Sequence, residues 1–79
     1  MKFRIEGDRV LLTFAKGDYI NRTFEAFADI NGVGGAWLNG IGAIENPEIG
    51  FYSMSDKSYH RRKFVGEYEL TSLVGNITI

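Results

Sequence analysis

No cysteine occurs in this chain, and at this length that absence decides most of what can hold a fold together. Seventy-nine residues make one small domain, and a chain of this size buries only roughly 60–65% of the surface its unfolded form exposes. Folds so small usually draw their margin from disulfides, a structural metal or association with other copies. Without thiols, disulfides and every thiolate metal site are excluded. His60 is the single histidine, so a histidine-built metal cage is excluded as well. Oligomerisation, or further chain, is the support left to expect.

Hydrophobic residues make up 44% of the chain and aromatics 14%, a composition that argues for a folded core rather than disorder. The formal net charge is −1, from nine Lys/Arg and ten Asp/Glu. That balance disfavours a sequence-independent DNA binder, which needs a cationic footprint against phosphate. Lys2, Arg4 and Glu6 break any apolar run at the N-terminus, so no signal peptide is read there. No stretch approaches the roughly 18 apolar residues of a membrane span. With cysteine absent too, the expectation is a cytoplasmic chain with no membrane partner.

Phe3 and Ile5 alternate with Lys2, Arg4 and Glu6, the period of a half-buried strand. Gly7-Asp8 is a turn signal, and Val10 to Phe14 is rich in strand formers, so residues 2–14 predict a hairpin. Asp18 is placed to cap a helix whose Ile20, Phe24, Phe27 and Ala28 form one apolar stripe. Gly32 after Asn31 is placed to close it in the left-handed conformation. From Gly34 to Ile44, Trp37, Leu38, Ile41 and Ile44 read as buried, while Gly40 and Gly42 weaken a plain strand. Asn46-Pro47 breaks that segment. Ile49 to Tyr52 and Tyr59 to Phe64 read as strands around a polar loop, and Tyr68 to Ile79 as a last strand. The chain stops on Ile77-Thr78-Ile79 in mid-pattern, and partner strands are expected in another copy or in further sequence. The fold class expected is α+β: mostly antiparallel sheet with one amphipathic helix packed on it.

Catalytic and cofactor motifs are weak. Gly32-Val33-Gly34-Gly35-Ala36-Trp37 is a poor match to a dinucleotide fingerprint, because a helix precedes it and Trp37 stands where the third glycine is needed. A serine nucleophile needs a base and a group orienting that base. His60 is the only candidate base, and its neighbours Arg61, Arg62 and Lys63 disfavour the imidazolium that a triad must stabilise. A solvated surface histidine is the stronger reading. No residue is assigned as catalytic or as a metal ligand, and no cofactor is expected from this chain. Whether it is an enzyme stays open, with the balance toward not.

His60, Arg61, Arg62 and Lys63 form the only basic cluster and are the candidates for contact with nucleic acid or a partner protein. Strand alternation sends Arg61 and Lys63 to one face and His60 and Arg62 to the other. Such a split makes a poor groove binder, and the blander role is to guard an edge strand with charge. Glu67 and Glu69 share a face of the last strand and read as solvated acids.

Several blocks taken in order resemble a known family. They are Gly34 to Ile44 with its Trp37-x-x-Gly40-x-Gly42 pattern, Ile49-Gly50-Phe51-Tyr52, Tyr59 to Phe64, and Gly66-Glu67-Tyr68-Glu69-Leu70-Thr71-Ser72-Leu73-Val74-Gly75-Asn76. Together they resemble the PPC domain, the plant and prokaryote conserved domain, over nearly the whole chain, as a single domain spanning 1–79. The resemblance implies an α+β fold assembling as a homotrimer, and a DNA-binding, gene-regulatory role. In the plant relatives DNA is met through an Arg-Gly-Arg-Pro AT-hook, a tetrapeptide not found in this sequence. Their Gly-Arg-Phe-Glu-Ile-Leu interaction motif falls on Gly66, Glu67, Tyr68, Glu69, Leu70 and Thr71, with Glu67 reversing the charge of the arginine. Family members continue into a His-x-His motif and a later histidine, so that cluster is expected beyond Ile79.

Two functions are therefore expected, in order. One is a homotrimeric binding module with a DNA-associated regulatory role, its partners being itself and, weakly, DNA. The alternative is a trimeric small-molecule or metal-binding protein, an enzyme included, whose site is completed by residues outside this sequence. The bare backbone of Gly40 and Gly42 is its point of ligand approach.

Overall fold

A computed structural model describes residues 1–78, and its first element follows from the N-terminal alternation. Strands β1 (Lys2–Glu6) and β2 (Arg9–Thr13) pair antiparallel, with Phe3 opposite Leu12 and Glu6 opposite Arg9. Only Gly7 and Asp8 lie between them. Gly7 takes φ +61° while Asp8 stays out of the positive-φ region. A two-residue turn with glycine first is the type II′ pattern, whose twist suits a hairpin. The Gly-Asp order is therefore the correct one for this turn.

The helix α1 (Ile20–Asn31) buries Phe27 and Ala28, the C-terminal half of the stripe expected from periodicity. Phe27 meets Phe3 of β1 edge to face at 5.1 Å, and Phe24 meets Phe14 at 5.2 Å. Offset and edge-on ring pairs of this kind add to simple area burial. The C-terminus closes as expected: Gly32 is left-handed, and the Val33 N–H donates to the Ala28 carbonyl at 2.9 Å. The N-terminus requires a correction. Tyr19, with no side-chain cap, precedes the first helical residue, and the Asp18 carboxylate turns back to accept from the Ala15 N–H at 2.8 Å. The backbone N–H just behind Asp18 competes successfully with the helix for the same oxygens.

Strands β3 (Gly35–Glu45) and β6 (Glu67–Thr78) pair with each other. The end of β3 meets the start of β6: the Asn46 N–H donates to the Gly66 carbonyl and the Gly66 N–H to Asn46 Oδ1, both at 2.8 Å. Two glycines do not interrupt β3, which runs unbroken for 11 residues. Its alternation half-buries Ala36, Leu38, Gly40, Gly42 and Ile44 and leaves the other row in solvent. Trp37, expected inside, is 75% exposed, and Ile41 is 83% exposed. Both sit on odd-numbered positions while the inward row is even-numbered, so strand parity overrules hydrophobicity. Leu70, Leu73 and Ile77 of β6 are half-buried, whereas Val74 is exposed. The expected Ile79 end of this strand lies outside the described residues.

Strands β4 (Glu48–Ser53) and β5 (Ser58–Lys63) form a second antiparallel hairpin, from Glu48 opposite Lys63 to Ser53 opposite Ser58. The Phe64 N–H extends it by donating to the Pro47 carbonyl at 2.9 Å. The whole is α+β and mostly antiparallel strand. Two compact units divide it: residues 1–36 with the C-terminal residues from 77 on, and residues 37–76. The first holds β1, β2 and α1, and the second holds the β4–β5 hairpin. No helix among the described residues is long and apolar enough to cross a membrane.

Candidate nucleic-acid interface

The register of the β4–β5 hairpin places the basic cluster side chain by side chain. Phe51 lies opposite His60 and Ile49 opposite Arg62 on one face; Tyr52 lies opposite Tyr59 and Gly50 opposite Arg61 on the other. His60 and Arg62 are thus brought together, and Arg61 and Lys63 point away from them. Every residue of β5 is exposed.

The two faces differ in chemistry. On the first, the Phe51 and His60 rings stack at 5.2 Å with only 12° between their planes. Beside them the Arg62 guanidinium sits 5.0 Å over the Phe64 ring, a cation–π contact that holds it extended. No carboxylate of the described residues pairs with Arg62. A shallow cavity of about 340 Å³ lies here, lined by Ile49, Phe51, His60, Arg62 and Phe64 and by the backbone at Gly50 and Arg61. On the second face the Tyr52 and Tyr59 rings meet edge to face, Arg61 lies 5.8 Å over Tyr59, and Glu48 engages Arg61 at 3.6 Å. The first face therefore keeps Arg62 without an ion-pair partner among the described residues and its two rings stacked in parallel.

Gly50 keeps the two strands close. A side chain there would meet the His60 carbonyl oxygen at 3.0 Å and the Arg61 side chain at 3.2 Å, so anything larger pushes against backbone. At the hairpin tip His60 Nε2 and Asp56 Oδ2 are 2.8 Å apart. The Ser53 hydroxyl first, and His60 second, hold the Asp56 carboxyl below its ordinary pKa. Nucleophile activation requires a histidine in contact with the serine, whereas here His60 engages Asp56 and the Ser53 hydroxyl lies 3.1 Å from that of Ser55.

Other candidates lie elsewhere. Gly66, Glu67, Tyr68, Glu69 and Leu70 open β6, on a different sheet from the hairpin. Glu67 and Glu69 are solvated and Leu70 is half-buried. Tyr68 reaches back, its ring 6.2 Å from Phe64 and its hydroxyl donating to the Val65 carbonyl at 3.2 Å. Gly40 and Gly42 lie within β3, and a side chain added at either would meet nothing within 4 Å. No three His, Asp or Glu of the described residues gather where they could hold a metal ion.

Sequence reasoning singled out His60 and Arg62 but missed Ile49, Phe51 and Phe64 as their companions. The signal was present: an aromatic two residues after Ile49 and another after Lys63, at the parity that shares a face with His60 and Arg62. Pairing register, which the sequence does not state, is what converts that parity into a surface.

No curated protein and no solved structure matches this chain. A family model does, over residues 1–79, described as the Plants and Prokaryotes Conserved (PCC) domain. The β3, β4–β5 and β6 blocks that carry the likeness hold the exposed ring-and-cation face and the Asn46–Gly66 clamp beside it, and the chain belongs to the PCC domain family, the PPC domain of the sequence comparison.

Proposed function

We propose that this chain is a homotrimeric, nucleic-acid-contacting module of the gene-regulatory kind, which meets its target through the β4–β5 hairpin. The observation that carries the reading is the segregation of charge. From Glu48 to Lys63 there are four cations (Lys57, Arg61, Arg62, Lys63) and two carboxylates (Glu48, Asp56), a formal +2. The rest of the chain has five cations and eight carboxylates, a formal −3, which restores the total of −1. The anionic total therefore conceals a cationic hairpin. Local charge is what releases counterions from phosphate, and repetition of a weak patch in each copy raises avidity without new contacts.

Self-association is supported by exposed apolar side chains: Trp37, Ile41 and Val74 all face solvent on their strands. A closed ring uses two different patches per copy, and these side chains are available for them.

Sedimentation velocity and light scattering on the purified chain test the assembly, with a mass three times 8.9 kDa expected and a stable monomer overturning it. Gel shifts across a salt series test the contact. Binding that weakens as salt rises, and that is lost when Arg61, Arg62 and Lys63 are all changed to Gln, is expected. Binding indifferent to that triple change moves the interface off the hairpin.

A further inference from the structure

We infer that the Phe51–His60 face of the β4–β5 hairpin is a stacking platform for the bases of single-stranded nucleic acid, with Arg62 taking the neighbouring phosphate. The inference rests on the nucleic-acid reading above and narrows it to unpaired strands. Three features of the face lead to it.

The ring stack comes first. The Phe51 and His60 rings stack nearly parallel, 12° apart in plane and 5.2 Å between centroids, and Phe51 is 63% exposed, which leaves aromatic surface for a further ring to join the stack. In a duplex the π-faces of the bases are covered by one another, so such a surface has nothing to meet. A single strand offers one free face per base, and stacking on aromatic side chains is the general way proteins hold it.

The second feature is the kind of side chain present. A two-stranded ribbon can enter the major groove of a duplex, but there it must present groups that hydrogen-bond base edges. Ile49, Phe51 and Phe64 present none, and among the described residues His60 Nε2 is engaged by Asp56. Arg62, without an ion-pair partner among the described residues and held out over Phe64, is the one strong donor. A lone cation beside two stacked rings matches the alternation of phosphate and base along an unpaired strand.

The third is openness. A site for a small free ligand typically encloses about 70–90% of it. The 340 Å³ cavity has exposed Ile49 and Phe51 on its floor, so a free nucleotide finds little enclosure. A polymer gains instead by touching several copies of the same shallow face.

Fluorescence anisotropy on the full chain is the test, with a labelled oligothymidylate of about 16 nucleotides and a duplex of equal length, between about 50 and about 200 mM salt. The single strand is expected to bind more tightly than the duplex throughout. Phe51→Leu keeps an apolar, strand-compatible side chain and removes the ring; it is expected to weaken single-strand binding about 5- to 150-fold and to leave the salt slope unchanged. Arg62→Gln is expected to flatten that slope by about 0.7. Tyr52→Leu, on the opposite face, controls for a general effect on the hairpin and is expected to change neither, with circular dichroism and molar mass matching the parent in all three. Duplex bound as tightly as the single strand, or a Phe51→Leu protein that binds normally, overturns the platform while leaving the nucleic-acid reading intact. Absence of binding to either probe at low salt overturns both. Equal losses for Phe51→Leu and Tyr52→Leu overturn the assignment to this face.

Discussion

Phe27 and Trp37 are both large aromatics on regular elements, yet they occupy opposite environments. Phe27 is 6% exposed and stacked edge-on against Phe3; Trp37 is 75% exposed. Truncating a buried aromatic removes its contacts and leaves a void, at a cost of about 3–5 kcal/mol. An exposed one away from such features changes stability by within about 0.5 kcal/mol. Phe27→Ala is therefore expected to unfold the chain or lower its urea midpoint sharply. Trp37→Ala is expected to leave the intramolecular fold intact, as read by circular dichroism of dilute protein. Sequence periodicity identified Phe27 correctly because a helix stripe is a local property of residues three and four apart. It placed Trp37 wrongly because hydrophobicity alone does not say which row of a strand faces inward.

Among the elements, α1 and the β1–β2 hairpin were legible for the same local reason: their turns, stripe and closing glycine lie within a few residues of one another. The N-terminal cap was not, since Asp18 had two nearby sets of donors and the sequence does not rank them. The choice has a consequence for acid stability. The Ala15 N–H first, and the N-terminal ammonium with it, hold the Asp18 carboxyl below its ordinary pKa, and Asp56 is lowered by Ser53 and His60. A folded-state pKa below the unfolded one means that the stabilisation is present above the unfolded value. It is lost as pH falls through the folded value, so stability should decline below about pH 4. In Asp18→Asn, thermal melts between neutral and acid pH are expected to show a shallower acid decline than the parent. An equally steep decline in the variant would assign the acid sensitivity to other carboxylates. The Asn46–Gly66 clamp was equally invisible in sequence, because its two residues are 20 apart and only the pairing of β3 with β6 unites them.

For the molecule as a whole, the distribution of charge says more than its sum. A formal −1 weighs against nucleic acid, but four of the nine cations and only two of the ten carboxylates lie between Glu48 and Lys63. The split of Arg61 and Lys63 from His60 and Arg62 was legible from parity alone. What parity could not supply was the identity of the cross-strand neighbours, Phe51 for His60 and Ile49 for Arg62, and these decide the chemistry of each face. The same limit applies to burial: the exposed row of β3 carries Trp37 and Ile41 beside Asn39 and Glu45, and hydrophobicity alone does not say which row faces inward.

Trp37 is also the only indole in the sequence, and its position in open solvent makes the protein its own optical gauge. A water-bathed indole emits at long wavelength and is readily quenched by iodide; one covered by a neighbour emits further to the blue and resists the quencher. If the proposed assembly forms and the Trp37–Ile41 row of β3 joins its copies, diluting the chain until the mass falls is expected to move the emission from blue to red in step. A fall in mass with unchanged colour would mean that the copies join elsewhere and that this row stays wet in every state.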